Sequence, residues 1–197
     1  MKPGKKTKGS KGLRIQTGEL KGRLIPSPVS PEGKSNFTPA IIKKSLFDII
    51  ESLQLQGRLN LEDSAFIDLF AGSGQMGIES LSRGFARAVF LELAWDRFES
   101  LKGVLDKLGK PHLVLRKDAF RFYSGFDIPE KTKVYFMDPP YSFWDKKTEK
   151  LKNVVEEIAQ NEPGVAAIIV QSPLPLNWEG FTPRSFGRNT LNVRVLA

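Results

Sequence analysis

Residues 65–84 of the chain are AFIDLFAGSGQMGIESLSRG, and this stretch decides the predicted fold class. Its first six residues form a continuous apolar run, which predicts a buried β-strand. Gly72, Gly74 and Gly77 follow in the spacing G-x-G-x-x-G, and a helix is predicted after them to about Arg83. Glycines at this spacing allow a tight turn and a close approach of backbone N–H groups to a ligand. The stretch therefore predicts the first strand, turn and helix of an α/β fold that binds a ligand at this turn.

Apolar runs and helical periodicity alternate after this stretch. The runs that predict further strands are ARAVFLEL (86–93), HLVLRKD (112–118), KVYFM (133–137) and GVAAIIVQS (164–172). One intervening helix is indicated by apolar residues three or four positions apart, namely Phe98, Leu101, Leu105 and Leu108. A second helix is predicted at residues 144–160. Buried strands that alternate with helices predict a mostly parallel sheet with helices on both faces.

Two hairpins are predicted to flank this α/β core. Residues 13–25, LRIQTGELKGRLI, alternate in polarity and turn around Gly18 and Gly22. FTPRSF and TLNVRVLA, separated by Gly187-Arg188-Asn189, are predicted to form the second hairpin.

The segment between the first hairpin and the core is predicted to be a loop followed by a helix. Residues 26–37 contain three prolines, which favour a loop. Thr38 is predicted to be the N-cap of the helix and Pro39 its first residue. The apolar stripe expected on this helix comprises Ile42, Leu46, Ile49, Ile50 and Leu53.

The composition of the 197-residue chain, 40% hydrophobic and 26% charged, is typical of a soluble globular protein. No apolar stretch approaches the roughly 20 residues that span a bilayer, so no membrane association is expected. We expect a tail at 1–12 and one domain at 13–197, with a hairpin-and-loop extension at 13–37 and the core at 38–197. Without cysteine and with one histidine, His112, no metal site is expected, and a reducing cytoplasm is favoured.

The formal net charge of +8 favours a polyanionic partner. Most of the excess lies in MKPGKKTKGSKG at the N-terminus, which contains five lysines and no acidic residue. This tail is predicted to be disordered and to contact nucleic acid. The rest of the chain is only mildly basic.

Acidic residues follow three of the predicted strands at the edge where α/β sheets bind ligands. Glu92 lies twenty residues beyond Gly72 and could accept hydrogen bonds from both hydroxyls of a ribose. Such a ribose occurs in NAD and in S-adenosylmethionine, so Glu92 does not indicate which of these two ligands is bound. Asp118 and Ala119 could hold the amine and a ring nitrogen of adenine. Asp68 could accept from a ligand ammonium or could simply anchor the glycine loop.

A fourth strand ends in MDPPY at residues 137–141. The lone pair of an exocyclic amine is delocalised into its base, which makes the amine a poor nucleophile. Hydrogen bonds from its protons to the Asp138 carboxylate and the Pro139 carbonyl would localise that lone pair. Prolines hold these acceptors stiffly, and Tyr141 could stack on a base removed from its own stack. The motif therefore favours a methyltransferase that acts on a planar amine.

DLFAGSGQMGIESLSRG, LEL, KDAF and MDPPY resemble the motifs of the bacterial small-subunit (16S) ribosomal RNA guanine-N2 methyltransferases of the guanine 966 type. The resemblance extends from about Arg14 to Val195. The glycine loop and the helix after it, ESLSRG included, are its most specific part. DPPY is shared more widely among amino-methyltransferases. The resemblance implies a Rossmann-like class I fold with a seven-stranded sheet and an antiparallel strand near the C-terminus. S-adenosylmethionine is the implied donor and a guanine amine of ribosomal RNA the implied acceptor.

The resemblance also implies roles for individual residues. Those expected to bind the donor are Asp68, Phe70, Ala71, Gly72, Ser73, Gly74, Glu92, Leu93, Asp118 and Ala119. Those expected to be catalytic are Asp138, Pro139, Pro140 and Tyr141. RNA contacts are expected from Lys21 and Arg23, because Lys21-Gly22-Arg23 resembles a basic W-R-G-R-type segment of the family. RNA contacts are also expected from the basic residues Lys43, Lys44 and Arg188.

The chain departs from the family pattern at three places. Asn36-Phe37-Thr38 stands where the family has Arg-Pro-Thr, and Lys43-Lys44 stands where the family has Arg-Glu. In the family an Asp commonly follows the acid that binds the ribose, whereas this chain has Ala94-Trp95 there. These departures concern the expected donor lid and substrate mouth. The catalytic motif after the fourth strand is unaffected.

Three other functions are compatible with some of these features. DNA adenine-N6 or cytosine-N4 methylation would use DPPY in the same way, but so short a chain leaves no room for a separate target-recognition domain. A NAD-dependent oxidoreductase could use the glycine loop, but no hydride-transfer constellation is evident. A non-catalytic RNA-binding relative would retain only donor binding. The leading prediction is a cytoplasmic, monomeric enzyme acting on 16S ribosomal RNA or an assembling small subunit.

Overall fold

The computed structural model describes residues 13–25 and 38–196. Its helices are α1 (Ala40–Leu55), α2 (Gln75–Ser82), α3 (Trp95–Leu105), α4 (Ser142–Lys146) and α5 (Thr148–Asn161), with a 3-10 helix at Leu61–Asp63. Its strands are β1 (Leu13–Arg14), β2 (Leu24–Ile25), β3 (Ser64–Asp68), β4 (Arg87–Leu91), β5 (His112–Leu115), β6 (Thr132–Met137), β7 (Val165–Ser172), β8 (Thr182–Phe186) and β9 (Asn189–Val195). The predicted tail (1–12), the predicted loop (26–37) and the departure at Asn36-Phe37 lie outside the described residues.

Seven strands form one sheet in the order β5-β4-β3-β6-β7-β9-β8. The first five strands of this order are parallel, whereas β9 runs antiparallel to both β7 and β8. The chain moves outward from β3 to β5 and then returns to place β6 on the other side of β3. This reversal creates a topological switch point, where ligands of α/β proteins bind at the carboxyl ends of the strands. The predicted fold, with its antiparallel strand near the C-terminus, is confirmed.

The two faces of the sheet are covered by different helices, because successive residues of a strand point to opposite sides. Phe66 and Phe136 pack with the apolar stripe of α1, and Phe90 packs with α2 and α3. On the other face Ile67 and Tyr135 pack with α5. Burial of these side chains is the main favourable contribution to folding.

The N-terminal hairpin of β1 and β2 is fastened to α2 by the ESLSRG segment. The buried carboxylate of Glu79 accepts hydrogen bonds from the backbone N–H groups of Gln16 (2.9 Å) and Thr17 (3.0 Å). Ser82 accepts one from the Leu20 N–H at 2.9 Å, and Arg83 donates to the Thr17 hydroxyl at 2.9 Å. ESLSRG, which belongs to the most specific part of the family resemblance, therefore has a structural role, namely the docking of the hairpin.

The start of α1 differs from its prediction. The helix begins at Ala40, and Pro39 rather than Thr38 is the N-cap residue. Pro39 is extended (φ −55°, ψ 147°), and its carbonyl accepts from the N–H groups of Ile42 and Lys43. Thr38 does not cap the helix because its hydroxyl donates to Asp138 instead.

Two other predicted boundaries also differ. The helix predicted at 144–160 is interrupted at Lys147, whose φ of −134° lies outside the helical range and separates α4 from α5. The helix α3 ends at Leu105, so Leu108 is buried beyond it. Within the described ranges, none of the helices has the length and apolar character needed to cross a bilayer.

Candidate active site

The carboxyl ends of the central strands open into one cleft of about 570 Å³. Its wall includes most of the residues predicted to bind a donor or to catalyse: Asp68, Phe70, Ala71, Gly72, Ser73, Glu92, Leu93, Asp118, Ala119, Asp138, Pro139, Pro140 and Tyr141. Gly74 is not part of the wall and is the N-cap residue of α2. The structure therefore brings together the four strand ends that the sequence singled out.

Two backbone N–H groups of the glycine loop donate hydrogen bonds to residues at the end of β4. The Ala71 N–H donates to the Leu91 carbonyl at 2.9 Å, and the Gly72 N–H donates to Oε2 of Glu92 at 3.0 Å. Gly74, at φ +75°, adopts a left-handed conformation that turns the chain into α2. The loop thus lies at the N-terminus of a helix, where a ligand carboxylate is stabilised by the helix dipole.

Glu92 is buried, and described donors already occupy most of its carboxylate. Its Oε1 accepts from the Ala94 N–H at 2.7 Å and from Nη2 of Arg97 at 3.0 Å. Among residues 13–25 and 38–196, the only donor to Oε2 is the Gly72 N–H. Since each carboxylate oxygen has two lone pairs, Oε2 can accept one more hydrogen bond. A second ligand hydroxyl at Oε1 would require Arg97 to move away.

Asp118 and three phenylalanines form the part of the cleft suited to a planar ring. Oδ1 of Asp118 accepts from the Phe120 N–H at 3.0 Å, which shapes the turn after β5. Phe120 and Phe143 lie 5.7 Å apart between ring centroids, and Phe70 lies 6.2 Å from each. Nζ of Lys147 sits 3.9 Å above the Phe143 ring. These apolar faces can pack against an adenine beside the Asp118 carboxylate.

Asp68 is buried at the end of β3, and its Oδ1 accepts from the Phe70 N–H at 3.3 Å. Burial raises the pKa of Asp68 to about 8, with smaller contributions from the charges of Asp138 and Glu92. A cationic ligand in the cleft would favour the charged form of Asp68.

Asp138 follows β6, and its Oδ2 accepts from the Thr38 hydroxyl at 3.3 Å. Burial raises the pKa of Asp138 to about 7, and the hydrogen bond from Thr38 opposes this increase. Pro139 is buried beside it, while the Pro140 carbonyl accepts from the Phe143 N–H at 2.8 Å and so begins α4.

Tyr141 projects into the cleft mouth with 56% of its surface exposed. Its hydroxyl donates to Oδ1 of Asn189 at 2.9 Å, and Nε2 of Gln171 donates to the same oxygen at 3.3 Å. An exposed aromatic ring with an anchored hydroxyl offers a flat surface to a base.

Sequence reasoning missed several residues of the wall, among them Arg97, Lys147, Gln171 and Asn189. Thr38, which was singled out as an expected N-cap and as part of a departure at the donor lid and substrate mouth, also belongs to the wall. Among the missed residues, only Gln171 had a usable signal, because it is a polar residue near the end of an apolar strand. The rule applied to the first four strands would have identified it on the fifth.

The residues predicted to contact RNA lie outside the cleft wall. Lys21, Arg23, Lys44 and Arg188 are exposed. Lys43 is only 4% exposed, and its burial lowers the pKa of its ammonium, although the charge of Glu79 opposes this shift. Direct RNA contact by Lys43 does not fit this burial, since the stripe by which α1 packs on the sheet includes this position.

The fold and the cleft together define the architecture of a Rossmann-like methyltransferase. Residues 13–193 match the family Conserved hypothetical protein 95, and the chain belongs to that family. The family resemblance predicted from the motifs is confirmed.

Two relatives and one solved structure are similar to the chain. It is 30% identical to the Bacillus subtilis protein named "Putative rRNA methyltransferase YlbH" over 148 residues, and this aligned region covers 74% of each chain. It is 30% identical over 136 residues to Ribosomal RNA small subunit methyltransferase D of Escherichia coli, which covers 68% of this chain and 62% of that protein. An RNA methyltransferase from Salinibacter ruber, solved in complex with S-adenosyl-L-homocysteine, has a TM-score of 0.54 at 14% identity, covering 81% of this chain and 93% of that chain. This last likeness concerns the fold alone.

Proposed function

We propose that the protein transfers a methyl group from S-adenosylmethionine to the exocyclic N2 amine of a guanine in 16S ribosomal RNA. The two relatives support ribosomal RNA methylation. S-adenosylhomocysteine is the donor after loss of its methyl group, so the Salinibacter ruber complex supports the donor. The observation that carries the proposal is the Thr38-bound carboxylate of Asp138 in the same cleft as the glycine loop and Glu92.

The residues of the cleft fit S-adenosylmethionine. The glycine loop at the start of α2 suits its carboxylate, and buried Asp68 suits its ammonium. The free lone pair on Oε2 of Glu92 suits a ribose hydroxyl, while Asp118 and Phe120 suit the adenine. Bound there, the donor supplies an electrophilic methyl group on a positively charged sulfur.

Asp138 and Pro139 are the residues that would hold the target amine. In the part of the chain that the structure describes, no N–H or O–H group donates a hydrogen bond to the Pro139 carbonyl. This carbonyl and the Asp138 carboxylate can therefore each accept a hydrogen bond from the target amine. These hydrogen bonds favour a pyramidal nitrogen and localise its lone pair. Preorganised acceptors of this kind stabilise charge as it develops on the nitrogen.

The elevated pKa of Asp138, about 7, suits a group that also handles a proton. A nitrogen–carbon bond forms as the sulfur–carbon bond of the donor breaks, which leaves the amine positively charged. Asp138 or water then takes the proton that the methylated amine loses. Activity should therefore rise with pH through about 7, as Asp138 becomes ionised.

Tyr141 would stack on the target base once that base has left its helix. Its hydroxyl is fixed by Asn189, so the ring can hold the base against Asp138 without first becoming ordered. We further propose that the protein acts as a monomer in the cytoplasm. Its substrate would be 16S RNA, either free or in a partly assembled small subunit.

The test is transfer of labelled methyl from S-adenosylmethionine to small-subunit RNA or particles that lack base methylation. Duplex DNA is the parallel substrate. We expect label in RNA as N2-methylguanine, and Asp138→Ala should reduce transfer by at least about a hundredfold while donor affinity changes little. Asp145→Ala, which removes an exposed aspartate from neighbouring α4, is the matched control and should transfer methyl normally.

Other outcomes would replace the proposal. Label in DNA alone would establish the adenine-N6 or cytosine-N4 alternative. Donor binding without label in any nucleic acid would indicate a non-catalytic RNA-binding relative. Loss of both transfer and donor binding in Asp138→Ala would assign Asp138 a structural role.

A further inference from the structure

Gln171 lies beside the catalytic motif at the carboxyl end of the neighbouring strand. β6 and β7 are parallel, and Met137 is paired with Val170, so Asp138 and Gln171 occupy the next position on each strand. Met137 and Val170 both pack on the α5 face of the sheet. Because side chains alternate along a strand, Asp138 and Gln171 both lie on the opposite face, where Thr38 reaches Asp138.

The side-chain amide of Gln171 is buried, and among the described residues it makes one hydrogen bond, although it has two N–H donors and an acceptor oxygen. Only 6% of the residue is exposed, although it forms part of the cleft wall. Its Nε2 donates to Oδ1 of Asn189, the oxygen that also holds the Tyr141 hydroxyl. Its Oε1 is buried, and no donor among residues 13–25 and 38–196 reaches it. Buried acceptors without a donor are rare in folded proteins, and each one calls for an explanation.

A hydrogen-bond donor on the target base would satisfy this oxygen. In guanine, the amine-bearing carbon C2 lies between two ring nitrogens: N1, which carries a proton and is a donor, and N3, which is an acceptor. The edge that presents the amine together with N1 therefore offers two donors side by side. In adenine and cytosine the corresponding ring nitrogens, N1 and N3, carry no proton and are acceptors. An acceptor placed beside Asp138 therefore suits guanine and opposes the other two bases.

We propose that Gln171 is a specificity-determining residue, whose Oε1 accepts a hydrogen bond from N1–H of the target guanine while Asp138 holds the adjacent amine. This inference rests on the proposed function and adds the reason why the acceptor base is guanine. Asn189 is the positioning residue in this arrangement, since its Oδ1 fixes both the Gln171 amide and the Tyr141 ring.

The test removes the two partners of the proposed hydrogen bond one at a time: the proton on N1 of the base, and the amide of Gln171. The target nucleotide is first mapped by the labelling experiment, and an RNA fragment is then made with either guanine or 2,6-diaminopurine at that nucleotide. Diaminopurine keeps the amine at C2 but has no proton on N1. The wild-type protein should prefer guanine by on the order of 10- to 100-fold in kcat/KM. Gln171→Met should lower transfer to guanine and bring the ratio close to one.

Two further variants make the result interpretable. Gln160→Met introduces the same change at an exposed position of α5 and should leave the ratio unchanged. Gln171→Glu keeps an acceptor and should retain a preference for guanine. The Tm of Gln171→Met and its calorimetric binding of S-adenosylhomocysteine show whether this variant folds. If it does not fold, the base preference of Gln171→Glu tests the role of Gln171 instead.

The inference and the proposed function fail in different ways. If the wild-type protein methylates neither RNA, the proposed function is wrong. If it methylates guanine and diaminopurine equally, or if Gln171→Met keeps the wild-type ratio, only the role of Gln171 is overturned. A preference of Gln171→Glu for diaminopurine would likewise overturn it.

Discussion

The hydroxyl of Thr38 donates to Oδ2 of Asp138 at 3.3 Å, joining two residues that are 100 positions apart. Thr38 stands two residues before α1, and Asp138 stands just after β6. Thr38 and Pro39, which lead into the first long helix, therefore belong to the wall of the cleft at the carboxyl edge of the sheet. The same contact explains why Thr38 does not cap α1.

Loss of this hydrogen bond should change the pH dependence of activity. The bond lowers the pKa of Asp138, which burial raises to about 7, so Thr38→Val should raise that pKa further. Since the carboxylate is the active form, methyl transfer should fall by on the order of tenfold at pH 6.5 and recover largely at pH 8.5. The measurement is a pH profile of kcat/KM. Thr38→Ser should behave like the wild type, as should Thr182→Val on exposed β8, and a pH-independent loss in Thr38→Val would contradict this reasoning.

The pKa of Asp68 should make stability depend on pH. Burial raises this pKa from 3.8 to about 8, so between these values the unfolded chain has released a proton that the folded protein retains. The free energy of unfolding should therefore decrease as pH rises through this window, by up to about 1.4 kcal/mol per pH unit. Asp68→Asn has no proton to release, so its Tm should exceed that of the wild type most clearly at pH 8.

Thermal unfolding at pH 5, 6.5 and 8 checks this prediction for Asp68. The control is Asp48→Asn, an exposed substitution on α1 that should change stability by no more than about 0.5 kcal/mol at any of these values. An advantage of Asp68→Asn that is constant across the range would show that Asp68 does not titrate as described.

Arg97 should compete with the donor for Glu92. Its guanidinium occupies Oε1 of Glu92 at 3.0 Å, and with about half of the Arg97 side chain exposed, the pair contributes little stability. Arg97→Met would free that oxygen for a second ribose hydroxyl, so affinity for S-adenosylhomocysteine should rise by about two- to fivefold. Glu92→Ala should lower the affinity by more than about tenfold because the glycine loop also loses its anchor. Isothermal calorimetry measures both, and weaker binding by Arg97→Met would mean that Arg97 itself contacts the donor.

Gly77 and Gly103 form a matched pair of glycines inside helices α2 and α3. A Cβ at Gly77 would lie 2.2 Å from Cε1 of Phe90, whereas a Cβ at Gly103 meets nothing within 4 Å. Alanine in an open helical position stabilises a protein by about 0.5–1 kcal/mol relative to glycine, while overpacking costs about 1–3 kcal/mol. Gly77→Ala should therefore lower the Tm and Gly103→Ala should raise it. Equal shifts in the two variants would show that Phe90 moves aside at little cost.

The strands, their burial and the edge of the sheet that forms the cleft could be predicted because they depend on local patterns. Continuous apolar runs mark buried strands such as β3, β4 and β6, and Asp68, Glu92 and Asp138 lie at or directly after the ends of these strands. The strand predicted at 112–118 is only partly buried and ends at Leu115, so Asp118 follows it after two further residues. The break at Lys147 could not be predicted, because WDKKT contains neither glycine nor proline. Its ammonium also lies 5.1 Å from the centroid of the Phe120 ring, a contact with a distant part of the chain that only the fold provides.

The remaining residues of the site depend on contacts between distant parts of the chain. Asn189 reaches Tyr141 across 48 positions, and no motif links them. Lys43 was expected to contact RNA, yet it is buried on the packed face of α1 near Glu79. Tertiary packing decided these positions, and a single sequence does not record it.

The antiparallel direction of β9 has a consequence for synthesis on the ribosome. Because β9 runs against β7, its first residue, Asn189, is the one that meets the carboxyl edge of the sheet. Asn189 is translated 48 residues after Tyr141, which at about 5–20 residues per second corresponds to a delay of roughly 2 to 10 seconds. β3 to β6 precede Tyr141 in the chain and β7 follows within that interval, so these strands can form the glycine-loop side of the cleft before β9 emerges. Asn189, which fixes Tyr141 and Gln171, is added only when β9 emerges, so the part of the cleft that we propose holds the base is completed last.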